Sequence, residues 1–165
     1  QKNQRFLVDV LANLQQRREK VQLAFVGEGP DIDSMKEYTN TVGLQDQVLF
    51  LGQQPDVSQY YSAFDVFCLP SLYEGLCVVG IEAQCAGVPC IFSSNVTDEV
   101  NVSGHAQFLP IDSPKEWAHA LECYHPGERI FTDDEALLNY DIARQGKLMT
   151  QRYVDLYDGI SQETC

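Results

Sequence analysis

Apolar and polar residues alternate along this chain in blocks that predict helices and strands in turn. The first 14 residues place apolar side chains at helical spacing, on one face of an amphipathic helix: Phe6, Leu7, Val10, Leu11 and Leu14. Short apolar runs bounded by glycine, proline or polar residues predict strands at 21–27, 47–52, 65–70, 88–93 and 107–111. Segments of helical character lie between and after them, at 30–43, 57–64, 75–87 and 113–124, with two more helices between 133 and 160.

This alternation predicts an α/β fold, with a Rossmann-like parallel sheet and helices on both of its faces. Because the chain starts on a helix, we expect the strand that opens such a sheet to precede Gln1. Right-handed crossovers bring the carboxyl ends of parallel strands to one edge, where such sheets bind ligands. Polar or glycine-rich loops follow the first four strands, at 27–30, 52–56, 70–75 and 93–99, and they predict a site on that edge.

The length of the chain limits the number of domains, and its charge limits the classes of ligand. The 165 residues are 44% apolar, which fits a single soluble domain over residues 1–165. The net charge of −13 argues against nucleic acid as a partner. No lysine or arginine occurs between Glu37 and Pro114, where nine acidic residues fall. An anion bound there must therefore be held by backbone amides, by helix N-termini or by cations from elsewhere.

The cysteines and histidines do not suggest a metal site. None of the six cysteines forms a C-x-x-C pair, and the three histidines are scattered. We interpret the cysteines as small buried side chains in a reducing, cytoplasmic compartment.

The turn after the first strand, GEGP, offers a close approach to the backbone. Gly27 and Gly29 flank Glu28, and glycines let a ligand come near the main chain. An ordinary turn explains the same letters equally well. The full dinucleotide pattern G-x-G-x-x-G is absent, because residue 32 is isoleucine, and so is a Walker loop, which weakens the case for NAD or ATP.

The segment that connects the third strand to the next helix indicates ligand binding more strongly than the GEGP turn does. The free amides of Gly75, Leu76 and Cys77 are expected to point out of a helix start and to attract a phosphate. Glu82 follows inside an apolar stretch, so we expect it to be largely shielded from water. Ribose hydroxyls would satisfy such a carboxylate. A bond to a neighbouring backbone amide, or simple exposure, fits the spacing equally well.

The motifs together resemble those of a known enzyme family. Glu74, seven residues and Glu82, followed by Ala83, Gly87 and Pro89, resemble the E-x7-E region of retaining nucleotide-sugar glycosyltransferases of the GT-B fold, called group 1 or family 4. The similarity extends to FVGEGP and to VLFLGQQPDVSQYYSAFDVFCLPSLYEG, and it covers residues 2–125. The resemblance implies that this chain is the C-terminal, donor-binding half of a two-domain enzyme.

The resemblance also assigns roles to individual residues. It implies that the donor nucleotide is bound by Lys2, Gly27, Gly29, Gly75, Leu76, Cys77 and Glu82. Among these, Glu82 would hold the ribose hydroxyls, and Lys2 aligns with a lysine that clamps the diphosphate. Glu74 would be the catalytic carboxylate that faces the donor sugar. The arginine that accompanies the family's lysine would precede residue 1.

The implied reaction is glycosyl transfer with retention from a nucleotide-diphosphate sugar, with UDP favoured by family frequency. No metal or other cofactor is expected. The partners would be an N-terminal acceptor-binding domain of the same polypeptide and a sugar or lipid-linked acceptor in bacterial surface-polysaccharide biosynthesis. The enzyme would be cytoplasmic, touching the inner membrane face through its other half, and this half alone is expected to be inactive.

Three alternatives remain at this point. A nucleotide-sugar 2-epimerase shares the GT-B architecture, but the E-x7-E spacing favours a transferase. A non-catalytic nucleotide-binding or docking module would need degenerate motifs, whereas the motif residues are present. A response-regulator-like flavodoxin fold would need an early acidic pair and a late lysine, which this sequence lacks.

Overall fold

The computed structural model describes residues 1–15, 21–130, 147, 149–151 and 154. The chain divides into two compact units, Gln1–Phe131 and Thr132–Cys165, and the fold below is that of the first. The two helices predicted between 133 and 160 lie almost entirely outside the described residues. The expectation of one donor-binding domain over residues 1–165 stays a prediction.

Strands and helices alternate through the first unit as the sequence pattern predicts. The strands are β1 (Leu23–Phe25), β2 (Val48–Phe50), β3 (Phe67–Leu69), β4 (Cys90–Ser93) and β5 (Gln107–Leu109). The helices are α1 (Gln4–Gln15), α2 (Ile32–Thr41), α3 (Ser58–Ala63), α4 (Val78–Cys85) and α5 (Pro114–Leu121), with a 3₁₀ turn at Asp98–Val100. The strands are shorter than the apolar runs that predicted them.

The strands form two parallel groups. β1 pairs with β2, while β4 lies between β3 and β5, and every one of these pairs is parallel. The fold class predicted from the sequence, a parallel Rossmann-like sheet with flanking helices, is confirmed. β4 is buried at all four positions, whereas β1 is half-buried throughout. The expected strand before Gln1 stays a prediction.

Helix α1 connects the two groups of strands. Its apolar face packs in a cluster that includes Leu23 of β1 and both Cys68 of β3 and Ile91 of β4. Its beginning is fixed beside the end of β3, because the Leu72 amide donates to the Gln1 carbonyl at 2.9 Å. Its far end lies beside the start of the β1 segment, because the Gln15 side-chain amide donates to the Val21 carbonyl at 3.1 Å, so β1 runs in the same direction as β3. The loops that follow β1 and β3 therefore leave the same edge.

Helix α5 packs beside α1 on the same face. Trp117 is completely buried, and its ring meets Phe6 edge to face at a centroid distance of 5.4 Å. Its indole N–H donates to the Pro110 carbonyl at 2.8 Å, which satisfies the polar end of the buried ring. This packing secures α1, and with it the residues that enter the site from the N-terminus.

Helix α4 lies very close to β4 because of a glycine and a buried amide. A Cβ atom on Gly80 would stand 3.0 Å from both the Phe92 ring and Val100 Cγ2. The Gln84 side chain donates to the carbonyls of Gly80 and Val100 at 2.8 and 2.7 Å and accepts from the Ser103 amide at 3.0 Å. Two of these three hydrogen bonds therefore fix α4 against the segment 100–103, and the third stays within the helix.

We predict that Gly80→Ala destabilises the protein. The added methyl meets two completely buried side chains, and overpacking of about 1–3 kcal/mol exceeds the helix-propensity gain of about 1 kcal/mol. Urea unfolding should show a net loss near 1 kcal/mol. Gly29→Ala is the control, since a Cβ there meets nothing within 4 Å, and an equal loss in both variants would contradict the packing argument.

Candidate active site

The loops that follow the strands join in pairs on one edge of the sheet. The Gly27 amide donates to the Gly52 carbonyl at 2.7 Å, which links the loops after β1 and β2. Glu74 and Val96 form an isolated parallel bridge, which links the loops after β3 and β4. The path of α1 places both pairs on the same edge, as the sequence predicted.

A carboxylate held on two sides lies at the centre of the second pair of loops. Lys2 Nζ lies 2.7 Å from Glu74 Oε1, and the Ser71 hydroxyl donates to the same oxygen at 3.1 Å. The Glu74 side chain is 11% exposed and that of Lys2 is 44% exposed. The fold thus brings together two predicted site residues that are 72 positions apart. Ser71, completely buried, was not singled out from the sequence.

The helix after this loop starts later than expected. Gly75, Leu76 and Cys77 precede α4, which begins at Val78. The cause is Cys77, whose backbone is extended (φ −86°, ψ 92°) and whose side chain is buried in the apolar cluster around β4. The helix-start amides without an intrahelical partner are consequently centred on Cys77 and Val78, while Gly75 lies in the exposed loop before them.

The expectation that Glu82 is shielded from water is wrong. The buried face of α4 consists of Gly80, Ile81, Ala83 and Gln84, so Glu82 lies on the exposed side of the helix. It shares that side with Val78 and Val79, four and three residues before it. The periodicity of α4 rather than the apolar composition around Glu82 decides its exposure.

Glu82 nevertheless has a defined partner. The Tyr61 hydroxyl donates to Glu82 Oε2 at 2.9 Å. Burial, together with the hydrogen bond to this carboxylate, raises the pKa of Tyr61 far above its usual range, so the phenol remains a donor at neutral pH. Of the two local alternatives to ribose binding, a bond to a neighbouring backbone amide and simple exposure, exposure is the one observed, with one oxygen engaged by a phenol from another helix. The ribose role of Glu82 stays a prediction.

The glycine turn after β1 lies on the same edge as Glu74 without a hydrogen bond to it among the described residues. Gly27 has a φ of 120°, a backbone conformation that residues other than glycine rarely adopt, and Gly29 is exposed. A Cβ on either residue would meet nothing within 4 Å. Their open surroundings leave the main chain accessible from the edge.

Apolar side chains surround the polar centre. Five large hydrophobic residues of the loop 70–77 and the start of α4 are exposed, with 39–63% of their surface accessible: Leu72, Tyr73, Leu76, Val78 and Val79. Exposed apolar groups concentrated in eight consecutive residues are a common sign of a binding surface. The exposure of Leu76, Val78 and Val79 was not predicted, because the apolar stretch that contains them predicts a buried helix.

The described residues contain no group of three or more histidine, cysteine or acidic side chains placed to hold a metal. The expectation of metal-free chemistry stays a prediction. No helix within the described ranges is long and apolar enough to span a bilayer.

Comparisons with known proteins identify the family of this chain. The model of the family described as glycosyl transferases group 1 matches residues 1–125. EpsF of Bacillus subtilis, to which glycosyltransferase activity is ascribed by name, is 36% identical over 146 residues, which are 85% of this chain and 38% of that protein. The lipopolysaccharide core biosynthesis glycosyltransferase LpsD of Rhizobium meliloti is 37% identical over 149 residues, covering 85% of this chain and 42% of LpsD.

The solved structures agree on the fold. Anabaena HepE in complex with UDP-glucose superposes with a TM-score of 0.64 at 24% identity, over 73% of this chain and 35% of that one. This chain belongs to the group 1 glycosyltransferases. It spans about two-fifths of the length of the relatives EpsF and LpsD.

We predict that the Cys77 thiol reacts slowly although it lies inside the candidate site. Cys77 is 3% exposed, and burial raises its pKa, so less of the reactive thiolate is present at pH 8. Alkylation by iodoacetamide should proceed roughly tenfold or more slower than at the exposed Cys123. Chymotryptic peptide mapping separates the two, and equal rates would contradict the buried placement.

Proposed function

We propose that this chain is the donor-binding half of a retaining glycosyltransferase that uses a nucleotide-diphosphate sugar, with UDP as the nucleotide. The observation that carries the proposal is that the Lys2–Glu74 pair lies at the loop that leads into α4, and that the second turn of this helix carries the exposed Glu82. The family membership of the chain supports the reaction type.

The start of α4 suits a diphosphate. Backbone amides at a helix start carry partial positive charge and point at an anion. Lys2 comes from the other side of the loop, and it supplies the cation that residues 37–114 lack. The amides of Gly75, Leu76 and Cys77, with the glycines at 27 and 29, would line the approach to the phosphates.

Glu82 suits the ribose. It is four residues beyond Val78, which places it about 6 Å further along the helix axis. That distance is comparable to the extent of a ribose phosphate, so a diphosphate at the helix start would bring the ribose hydroxyls to the carboxylate. Hydroxyl donors to a charged carboxylate are strong hydrogen bonds.

Glu74 suits the sugar that is transferred. As the bond to the diphosphate breaks, positive charge develops on the sugar ring and negative charge on the leaving group. Glu74 orients the sugar hydroxyls as the catalytic-site carboxylate. Lys2 turns from Glu74 toward the diphosphate and, with the helix amides, stabilises the departing charge without a metal. The sugar is transferred with retention of configuration.

The wider setting follows from the relatives. HepE was solved with UDP-glucose, and LpsD is named for lipopolysaccharide core biosynthesis. We therefore propose a sugar or lipid-linked acceptor in surface-polysaccharide synthesis, bound by an N-terminal domain of the same polypeptide. The reaction would take place in the cytoplasm, at the inner membrane face.

We predict that Glu82→Ala weakens UDP binding. Loss of hydrogen bonds between ribose hydroxyls and a charged carboxylate should lower the affinity about tenfold or more. Isothermal titration of the full-length protein with UDP measures this. Glu37→Ala, which removes an exposed helical glutamate from α2, is the control. Unchanged affinity in the Glu82 variant would refute the ribose assignment.

We predict that Lys2→Met also weakens UDP binding, with a different dependence on salt. A lost charge-assisted hydrogen bond should cost about 1.5–3 kcal/mol at low ionic strength. Salt screens such an exposed cation, so the difference from the unmodified protein should shrink toward 1 M NaCl. Lys36→Met makes the same charge change on α2 as the control. A loss independent of salt would exclude a charge–phosphate contact.

A further inference from the structure

Glu82 lies on an exposed helix face, where a glutamate ordinarily samples many rotamers. Here one carboxylate oxygen, Oε2, accepts a hydrogen bond at 2.9 Å from the hydroxyl of Tyr61. The two residues belong to different helices, α3 and α4, and lie 21 positions apart in the chain. The contact therefore results from tertiary packing rather than from helical spacing.

The tyrosine is fixed independently of Glu82. Its side chain is 8% exposed and belongs to the apolar cluster with Leu69 and Ile81. Its ring meets Phe67 of β3 at a centroid distance of 6.2 Å and an angle of 64°. The ring is thus held by the core, and its hydroxyl reaches Glu82 in the second turn of α4.

We infer that Tyr61 is a positioning residue for nucleotide recognition: it holds Oε2 of Glu82 so that Oε1 is presented to the ribose hydroxyls. The inference rests on the proposed function, since it needs a nucleotide at α4. Tyr61 itself makes no contact with the ligand in this arrangement. It reduces the rotamer freedom that Glu82 would otherwise lose on binding.

The protonation state of Tyr61 allows it to hold Glu82 throughout the neutral pH range. Tyr61 remains a phenol through the neutral range, because burial and the neighbouring carboxylate both disfavour its ionised form. It can therefore donate to Glu82 throughout that range. The same hydroxyl lies 3.4 Å from the Val79 carbonyl, which gives the proton a second acceptor on α4.

The test compares ligands as well as variants. In the full-length protein, Tyr61→Phe removes the hydroxyl and keeps the ring in the core. We expect the affinity for UDP to fall about threefold to tenfold, the usual worth of one hydrogen bond. Binding of 2′,3′-dideoxyuridine 5′-diphosphate, which lacks the ribose hydroxyls, should stay unchanged. Tyr60→Phe, which removes a hydroxyl one position earlier in α3, is the matched control.

The outcomes separate this inference from the proposed function. If Glu82→Ala leaves UDP affinity unchanged, the ribose assignment itself fails. If Glu82→Ala weakens binding but Tyr61→Phe does not, the positioning role alone is overturned. Equal losses for UDP and the dideoxy analogue would show that Tyr61 merely supports the fold, which also overturns it. A Tyr61→Phe, Glu82→Ala double variant no weaker than Glu82→Ala would support coupling through Glu82.

Discussion

The Lys2–Glu74 ion pair is the contact on which the arrangement of the site depends. It joins the residues before α1 to the loop that leads into α4, and the Ser71 hydroxyl donates to the same carboxylate oxygen. The pair is partly open to solvent on the lysine side, so its contribution to stability is at most about 1 kcal/mol. Its importance lies in geometry, because it places a cation and a carboxylate beside a helix start in an acidic region of the chain.

The packing below the loop makes that geometry rigid. Gly80 lets α4 approach β4 closely, and the buried Gln84 amide ties the helix to the Val100 carbonyl and the Ser103 amide. A glycine and a fully hydrogen-bonded glutamine on the buried face leave the opposite face free to carry Glu82 and two exposed valines. The same helix thus packs tightly on one side and exposes a carboxylate and two valines on the other.

The structure adds contacts to the residues of the family motif. The motifs show membership in the group 1 glycosyltransferases, while the structure shows contacts that no motif contains. Ser71 and Tyr61 are both inside the matched region, yet their partners become visible only when the chain is folded. Each donates a hydrogen bond to a carboxylate of the E-x7-E motif from a buried position.

The sequence by itself determined the order of strands and helices as far as α5, the parallel α/β class, and the edge that gathers the polar loops. These follow from local periodicity and from the handedness of crossovers, which short stretches of chain encode. Tertiary structure decided that α4 starts at Val78, that Glu82 faces outward, and that Lys2 pairs with Glu74. Those outcomes depend on which face of a helix is buried and on contacts between residues far apart in the chain, and local patterns do not specify such contacts.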